Sequence, residues 1–215
     1  MTTPFYAKDC TLAVMATGEA AESLIAMRDI LHTVSLNSIY HHFWGGRIGY
    51  HHVHPEYLND FAYWAHQHLH DEVLSERLSI IDPTDYRNLE DLRKVIIDII
   101  EDRIEDLEFI LWSRGVNPFH FAKSKTIVFD LGITASHPSE LTEIIPKLPA
   151  SSIFFHFIDA RIRTENGLDD FSVWLTQFKG EFQTTIDKIR LIDPYFLSLS
   201  NIRQKLGEVF HELFT

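Results

Sequence analysis

Six histidines fall between residues 51 and 70: His51, His52 and His54, then His66, His68 and His70. His66 and His70 are four residues apart, so on a helix they share one face, where two neutral imidazoles can hold zinc, nickel or another borderline metal. A third ligand would come from the preceding loop. The pattern is weak as a metal site. It has no His-Glu-x-x-His spacing of a hydrolytic zinc centre, and His68 falls on the same arc as Phe61 and Trp64, which suits a packed, hydrogen-bonded ring. His66 and His70 are therefore carried as candidates only, and neither a metal nor a cofactor is expected.

A second constellation consists of His42, Arg47, Asp60 and Trp64, with a matching set of His156, Arg161, Asp170 and Trp174. Converging imidazole, guanidinium and carboxylate groups between tryptophan walls would make a cleft for a polar or anionic ligand. The competing reading is structural. Buried polar groups need partners, and residues present in both sets are what a shared fold requires.

The two sets belong to longer blocks that recur in order. Ser38-Ile39-Tyr40-His41-His42-Phe43 returns as Ser152-Ile153-Phe154-Phe155-His156-Phe157, Leu58-Asn59-Asp60-Phe61 as Leu168-Asp169-Asp170-Phe171, and Ile80-Ile81-Asp82-Pro83 as Leu191-Ile192-Asp193-Pro194. The chain thus reads as an internal duplication, with repeat one over about residues 5–114 and repeat two over about 119–215, a unit longer than solenoid repeats. Only Gly115-Val116-Asn117-Pro118 reads as a boundary, ending a helix that runs to about Arg114. Without a Ser-, Gly- or Pro-rich linker, residues 1–215 are expected to form one integrated domain.

Each repeat must then supply the elements that position these groups. A short strand opens each one, Leu12 to Ala16 and Thr126 to Leu131. Gly18 and Gly132 follow, where the backbone is expected to take an angle a side chain would oppose. Helices are expected over Glu19–Thr33 and over Ser139–Leu148, the latter interrupted at Pro146. Ser38 and Ser152 read as N-caps, and Asp60 and Asp170 as the acidic starts of the next helices, the first with an apolar arc of Phe61, Trp64, Ala65, Leu69 and Val73. Apolar seams close both repeats: Leu89, Leu92, Ile96 and Ile99, then Leu199, Ile202, Leu206, Val209 and Leu213. The expected fold class is α+β and predominantly helical, each half a short strand followed by several helices, packed about a pseudo-twofold axis.

Composition excludes several functions. A formal charge of −12, with basic residues scattered among acids, argues against nucleic acid or an anionic membrane surface. No run approaches the roughly 18 apolar residues needed to span a bilayer. The single cysteine, Cys10, forms no internal disulfide and no cysteine metal cage, and reads as a buried residue of a cytoplasmic protein. The acidic run of Asp98, Glu101, Asp102, Glu105, Asp106 and Glu108 reads as the solvated face of a helix. Ala16-Thr17-Gly18-Glu19 lacks the repeated glycines and lysine of a phosphate loop.

Ser38-Ile39-Tyr40 with His42, Asn59-Asp60-Phe61 with Trp64, and the Leu74 to Leu78 run leading to Asp82-Pro83 together resemble an uncharacterised prokaryotic family, a domain of unknown function about this long. The resemblance implies no reaction and transfers no catalytic residue. The sequence therefore reads as a non-enzymatic binding or adaptor module for a protein partner or a small polar ligand, of unassigned oligomeric state. The alternatives are a metal-dependent or acid-base enzyme using the first-repeat histidines, and a purely structural oligomer.

Overall fold

The computed structural model describes residues 2–48, 57–106, 114–164 and 166–213. His51, His52 and His54 lie outside the described residues. Two strands, β1 (Phe5–Ser23) and β2 (Arg114–Ala135), pair antiparallel in a two-stranded sheet. In β1 the side chains of Phe5, Ala7, Cys10 and Ala21 are buried, while Tyr6, Lys8 and Thr11 face outward.

The expected short strands are corrected to 19 and 22 residues. Glu19 to Ser23 has the composition of a helix, but tertiary contacts override that preference. The Thr17 hydroxyl donates to the Phe121 carbonyl at 2.7 Å, the Glu19 amide donates back to Thr17 Oγ1, and Ala21 is fully buried. Helix begins only after Ser23, whose hydroxyl accepts the Ala26 amide. Gly115 to Pro118 is likewise part of β2, not a helix stop. In a two-stranded sheet each strand has an open edge, which is where a proline is tolerated. Gly18 and Gly132 do take positive φ, +89° and +67°, but inside the strands. An added Cβ at either would meet nothing within 4 Å, so the backbone angle alone demands glycine there.

The chain divides into two compact units: the first is the continuous stretch Leu12–Lys125, the second Met1–Thr11 with Thr126–Thr215. The first holds α1 (Leu24–Leu31), α2 (Leu36–Trp44), α3 (Asp60–Gln67), α4 (Glu72–Ser79) and α5 (Leu89–Asp106). The buried face of α5 is Leu92, Ile96, Ile97 and Ile100, one position off the expected seam at its end, and Asp98, Glu101, Asp102, Glu105 and Asp106 face solvent. Arg93, itself buried, reaches from α5 to the carbonyls of Leu31, His32 and Val34 and closes the end of α1.

The second unit holds α6 (Leu141–Ile144), α7 (Ala150–Ile153), α8 (Ala160–Arg163), α9 (Asp170–Leu175), α10 (Gln183–Arg190) and α11 (Leu199–Leu213). Pro146 does interrupt its first helix, which tightens to a 3-10 turn over Ile145–Lys147. Between α7 and α8 the chain widens into a π-helical segment, Phe154–Asp159. Arg203 on α11 donates to the Leu148 carbonyl, as Arg93 does to that of Val34.

Candidate functional site

The capping role expected for Ser38 and Ser152 falls to other residues. Ser35 caps α2, Pro149 precedes α7, and both serines lie inside their helices. Four residues on from each is His42 or His156, so serine and histidine share one helix face. That face meets the open edge of a strand. In the first unit Ser38 donates to the Ala122 carbonyl at 2.7 Å, and the Ala122 amide donates to Nε2 of His42 at 3.2 Å. In the second unit Ser152 donates to the Lys8 carbonyl at 2.7 Å, and the Lys8 amide donates to Nε2 of His156 at 2.8 Å.

These contacts fix the protonation of each ring. A backbone amide only donates, so Nε2 must offer its lone pair and the ring proton sits on Nδ1. From there it is donated to Asp60 or Asp170, each at 2.7 Å. Both carboxylates are placed at the first position of α3 and α9 by the preceding caps, Asn59 and Asp169, which accept the Ala62 and Ser172 amides. Asp169 is almost wholly buried, and desolvation raises its pKa against the opposing bonds from Ser172 and the charge of Arg161.

The tryptophans complete each clamp. Trp64 donates its indole N–H to the Asn117 carbonyl and Trp174 to that of Thr3. Phe61 stacks on Phe119 at 5.1 Å and Phe171 on Phe5 at 5.1 Å. A histidine, a serine and a tryptophan thus stand where a third strand would hydrogen-bond, which satisfies edge groups that would otherwise template association.

The two clamps differ around the carboxylate. In the second unit Arg163 donates through Nε to Asp159 at 2.7 Å and through Nη2 to Asp170 and to the Phe155 carbonyl, with its guanidinium over the Phe155 ring at 4.1 Å. The Phe155 carbonyl belongs to the π segment, where it also accepts the Ala160 amide five residues on. Arg163, not Arg161, is the arginine of this site. Arg161 instead donates to the Phe157 carbonyl and lies over that ring at 4.5 Å, and Arg47 lies 5.8 Å from the Trp44 ring. Around Arg163 opens a groove of about 250 Å³ lined by Tyr6, Lys8, His156, Asp170, Val173 and Gln177 among others.

In the first unit the positions of Phe155 and Asp159 are taken by His41 and Gly45. An added Cβ at Gly45 would come within 2.6 Å of His41 Nδ1, so the glycine makes room for that ring. Polar atoms of His41, His42 and Asp60 lie within 4.8 Å of one another, close enough to consider a metal. Metal on His42 Nδ1 would require a proton on Nε2, facing the Ala122 amide donor to donor, so the geometry favours the proton over the metal.

The other histidine pair is not brought onto one helix face. α3 ends at Gln67, His68 is its cap residue and His70 has a left-handed backbone with φ +55°. His66 pairs with Glu72 at 3.0 Å. His68 packs against Tyr63 edge-on, and partial burial followed by the charge of His70 lowers its pKa. Val73, expected on the apolar arc, is exposed because α4 starts anew at Glu72. Cys10 is buried against the Ser151 carbonyl, and its thiol is pushed up to about 12 by desolvation, then by Asp159 and Asp9.

Sequence reasoning missed Arg163, Lys8 and Gln177. The spacing of Asp159 and Arg163, one helical turn, was the available signal for the first, whereas the Lys8 and Gln177 contributions depend on chain crossing. No helix among the described residues is long and apolar enough to cross a membrane.

Comparison with known proteins is consistent with this picture of fold without assigned chemistry. No curated protein matches the chain. The solved structure of OrfY from Thermoproteus tenax is similar at 26% identity and a TM-score of 0.85, over 98% of this chain and 95% of that one. The model of a family of unknown function, DUF5752, matches residues 2–211, and the chain belongs to that family.

Proposed function

We propose that this protein is a binding module for a small polar ligand, and that the groove around Arg163 in the second unit receives it. The observation that carries the reading is the state of the polar groups there. Both nitrogens of His156 are committed, and Asp170 Oδ2 is shared between His156 and Arg163. A committed imidazole is a poor general base, whereas a fixed guanidinium beside an open groove is well suited to holding a ligand. The π segment beneath it supports the same reading, since such segments concentrate at functional positions.

The matching clamps further support an origin by internal duplication. Ser38 and Ser152, His42 and His156, Asp60 and Asp170, and Trp64 and Trp174 make the same bonds to equivalent partners. In that account the first unit keeps the clamp, and the second has gained a ligand-facing arginine. The single buried thiol suits a reducing, cytoplasmic setting.

The test is a fragment screen on the full chain, read by two-dimensional NMR at the Trp174 indole N–H and the Gln177 side-chain amide. Fragments that shift these signals and leave those of Trp64 in place support the reading. A screen in which every hit perturbs other surfaces, and none this groove, refutes it.

A further inference from the structure

The hydrogen-bonding inventory of the groove identifies the ligand class. Among the described residues, Arg163 uses Nε on Asp159 and Nη2 on Asp170 and the Phe155 carbonyl, which leaves the two N–H groups of Nη1 for a ligand. Gln177 accepts the Thr3 amide through Oε1, an orientation fixed by a backbone donor, so its amide nitrogen keeps two donors. Lys8 lines the groove and is exposed, and with its backbone amide and carbonyl held in the clamp its ammonium is a further donor there. Donors from Arg163, Lys8 and Gln177 therefore outnumber the acceptors, which are the Tyr6 hydroxyl and Asp170 Oδ1.

A donor-rich groove selects an acceptor-rich ligand. The charges restrict it further. Lys8 and Arg163 carry two positive charges, against the negative charges of Asp159 and Asp170, in a chain of net −12. These charges cancel, so the groove tolerates one negative charge brought onto the free donors and disfavours two. With Nε and Nη2 occupied, the arginine offers Nη1 alone, so a carboxylate or a phosphate meets it at one nitrogen and not through the bidentate fork. Tyr6 and Val173, both partly exposed in a protein whose other aromatic clamp residues are buried, offer an apolar wall beside these donors.

Resting on the proposed binding role, we infer that the groove takes a small monocarboxylate, its carboxylate oxygens on Arg163 Nη1 and Lys8 Nζ and its apolar body against Tyr6 and Val173. The volume of about 250 Å³ lies just below the usual range for small-molecule sites, so the ligand is small.

The experiment titrates the full chain with benzoate, benzamide and inorganic phosphate, following the Gln177 side-chain amide and the Trp174 indole by NMR. Benzoate is expected to bind at least about tenfold more tightly than either of the others, the equivalent of one charge-assisted hydrogen bond. Lys8→Gln leaves the clamp intact, because only the backbone of Lys8 takes part in it, and is expected to weaken benzoate by a similar factor. Arg163→Lys is expected to weaken it more. Should that variant unfold, Lys8→Gln and Gln177→Leu still decide the matter. Equal binding of benzoate and benzamide, or insensitivity of benzoate to Lys8→Gln, overturns the carboxylate assignment while the groove remains a binding site. Tighter binding of phosphate overturns it in favour of a phosphorylated ligand. Failure of all three probes to move either signal refutes the carboxylate assignment, and the broader fragment screen then decides whether the binding role falls with it.

Discussion

The Lys8 amide donates to Nε2 of His156 at 2.8 Å, while Nδ1 of the same ring donates to Asp170 at 2.7 Å, so one imidazole ties a strand edge to a helix start. Nitrogen-15 spectra should show both His156 and His42 as neutral rings protonated on Nδ1. A ring protonated on Nε2 would mean that the strand amide is not bound there. Replacing either histidine with alanine leaves a part-buried amide without its acceptor and should lower stability by about 1–3 kcal/mol in urea unfolding.

Trp64 and Trp174 each combine a buried ring with an indole hydrogen bond to a backbone carbonyl, Asn117 in β2 and Thr3 just before β1. Trp64→Ala and Trp174→Ala should each cost about 3–5 kcal/mol. Phenylalanine at either position should recover most of this, leaving a deficit of about 1 kcal/mol for the lost bond. Unchanged urea midpoints for the alanine variants would show that the rings contribute nothing to packing.

Gly45 makes room for His41, with which an added methyl would collide at 2.6 Å. Gly45→Ala should destabilise the protein by about 1–3 kcal/mol, the usual cost of overpacking. Adding His41→Ala should remove much of that penalty. Additive losses in the double variant would place the strain elsewhere.

Burial moves the Cys10 thiol from 9.0 to about 12. Its folded value lies above the unfolded one, so the contribution to stability is intact below about pH 9 and is lost as pH rises towards 12. In native protein at pH 9, alkylation by iodoacetamide should be slow and should accelerate on unfolding. Rapid native alkylation would contradict the burial.

The helical elements were legible where capping chemistry and apolar periodicity agreed. Asp60 and Asp170 begin helices as their acids suggest, and Leu92, Ile96, Leu199, Ile202 and Leu206 face inward as their spacing requires. The strands were not, because Glu19 to Ser23 carries helix-forming residues and owes its extended state to Phe121, about a hundred positions away. The site was half legible. Histidine, aspartate and tryptophan stood out because they recur, and recurrence reflects the clamp they share. Arg163 has no counterpart in the recurring blocks, so the feature that sets the second unit apart was hidden by the same logic.

The discontinuity of the second unit has a consequence for synthesis. Residues 12–125 leave the ribosome as an uninterrupted set and can assemble while translation continues. Residues 1–11 emerge before them, yet their packing partners Ser152, His156 and Trp174 follow more than 140 positions later. At about 5–20 residues per second, this apolar strand segment waits on the order of 10–30 s for its clamp. During that interval Phe5, Ala7 and Cys10 stand open to other nascent chains, so chaperone demand in this protein should concentrate on its first dozen residues.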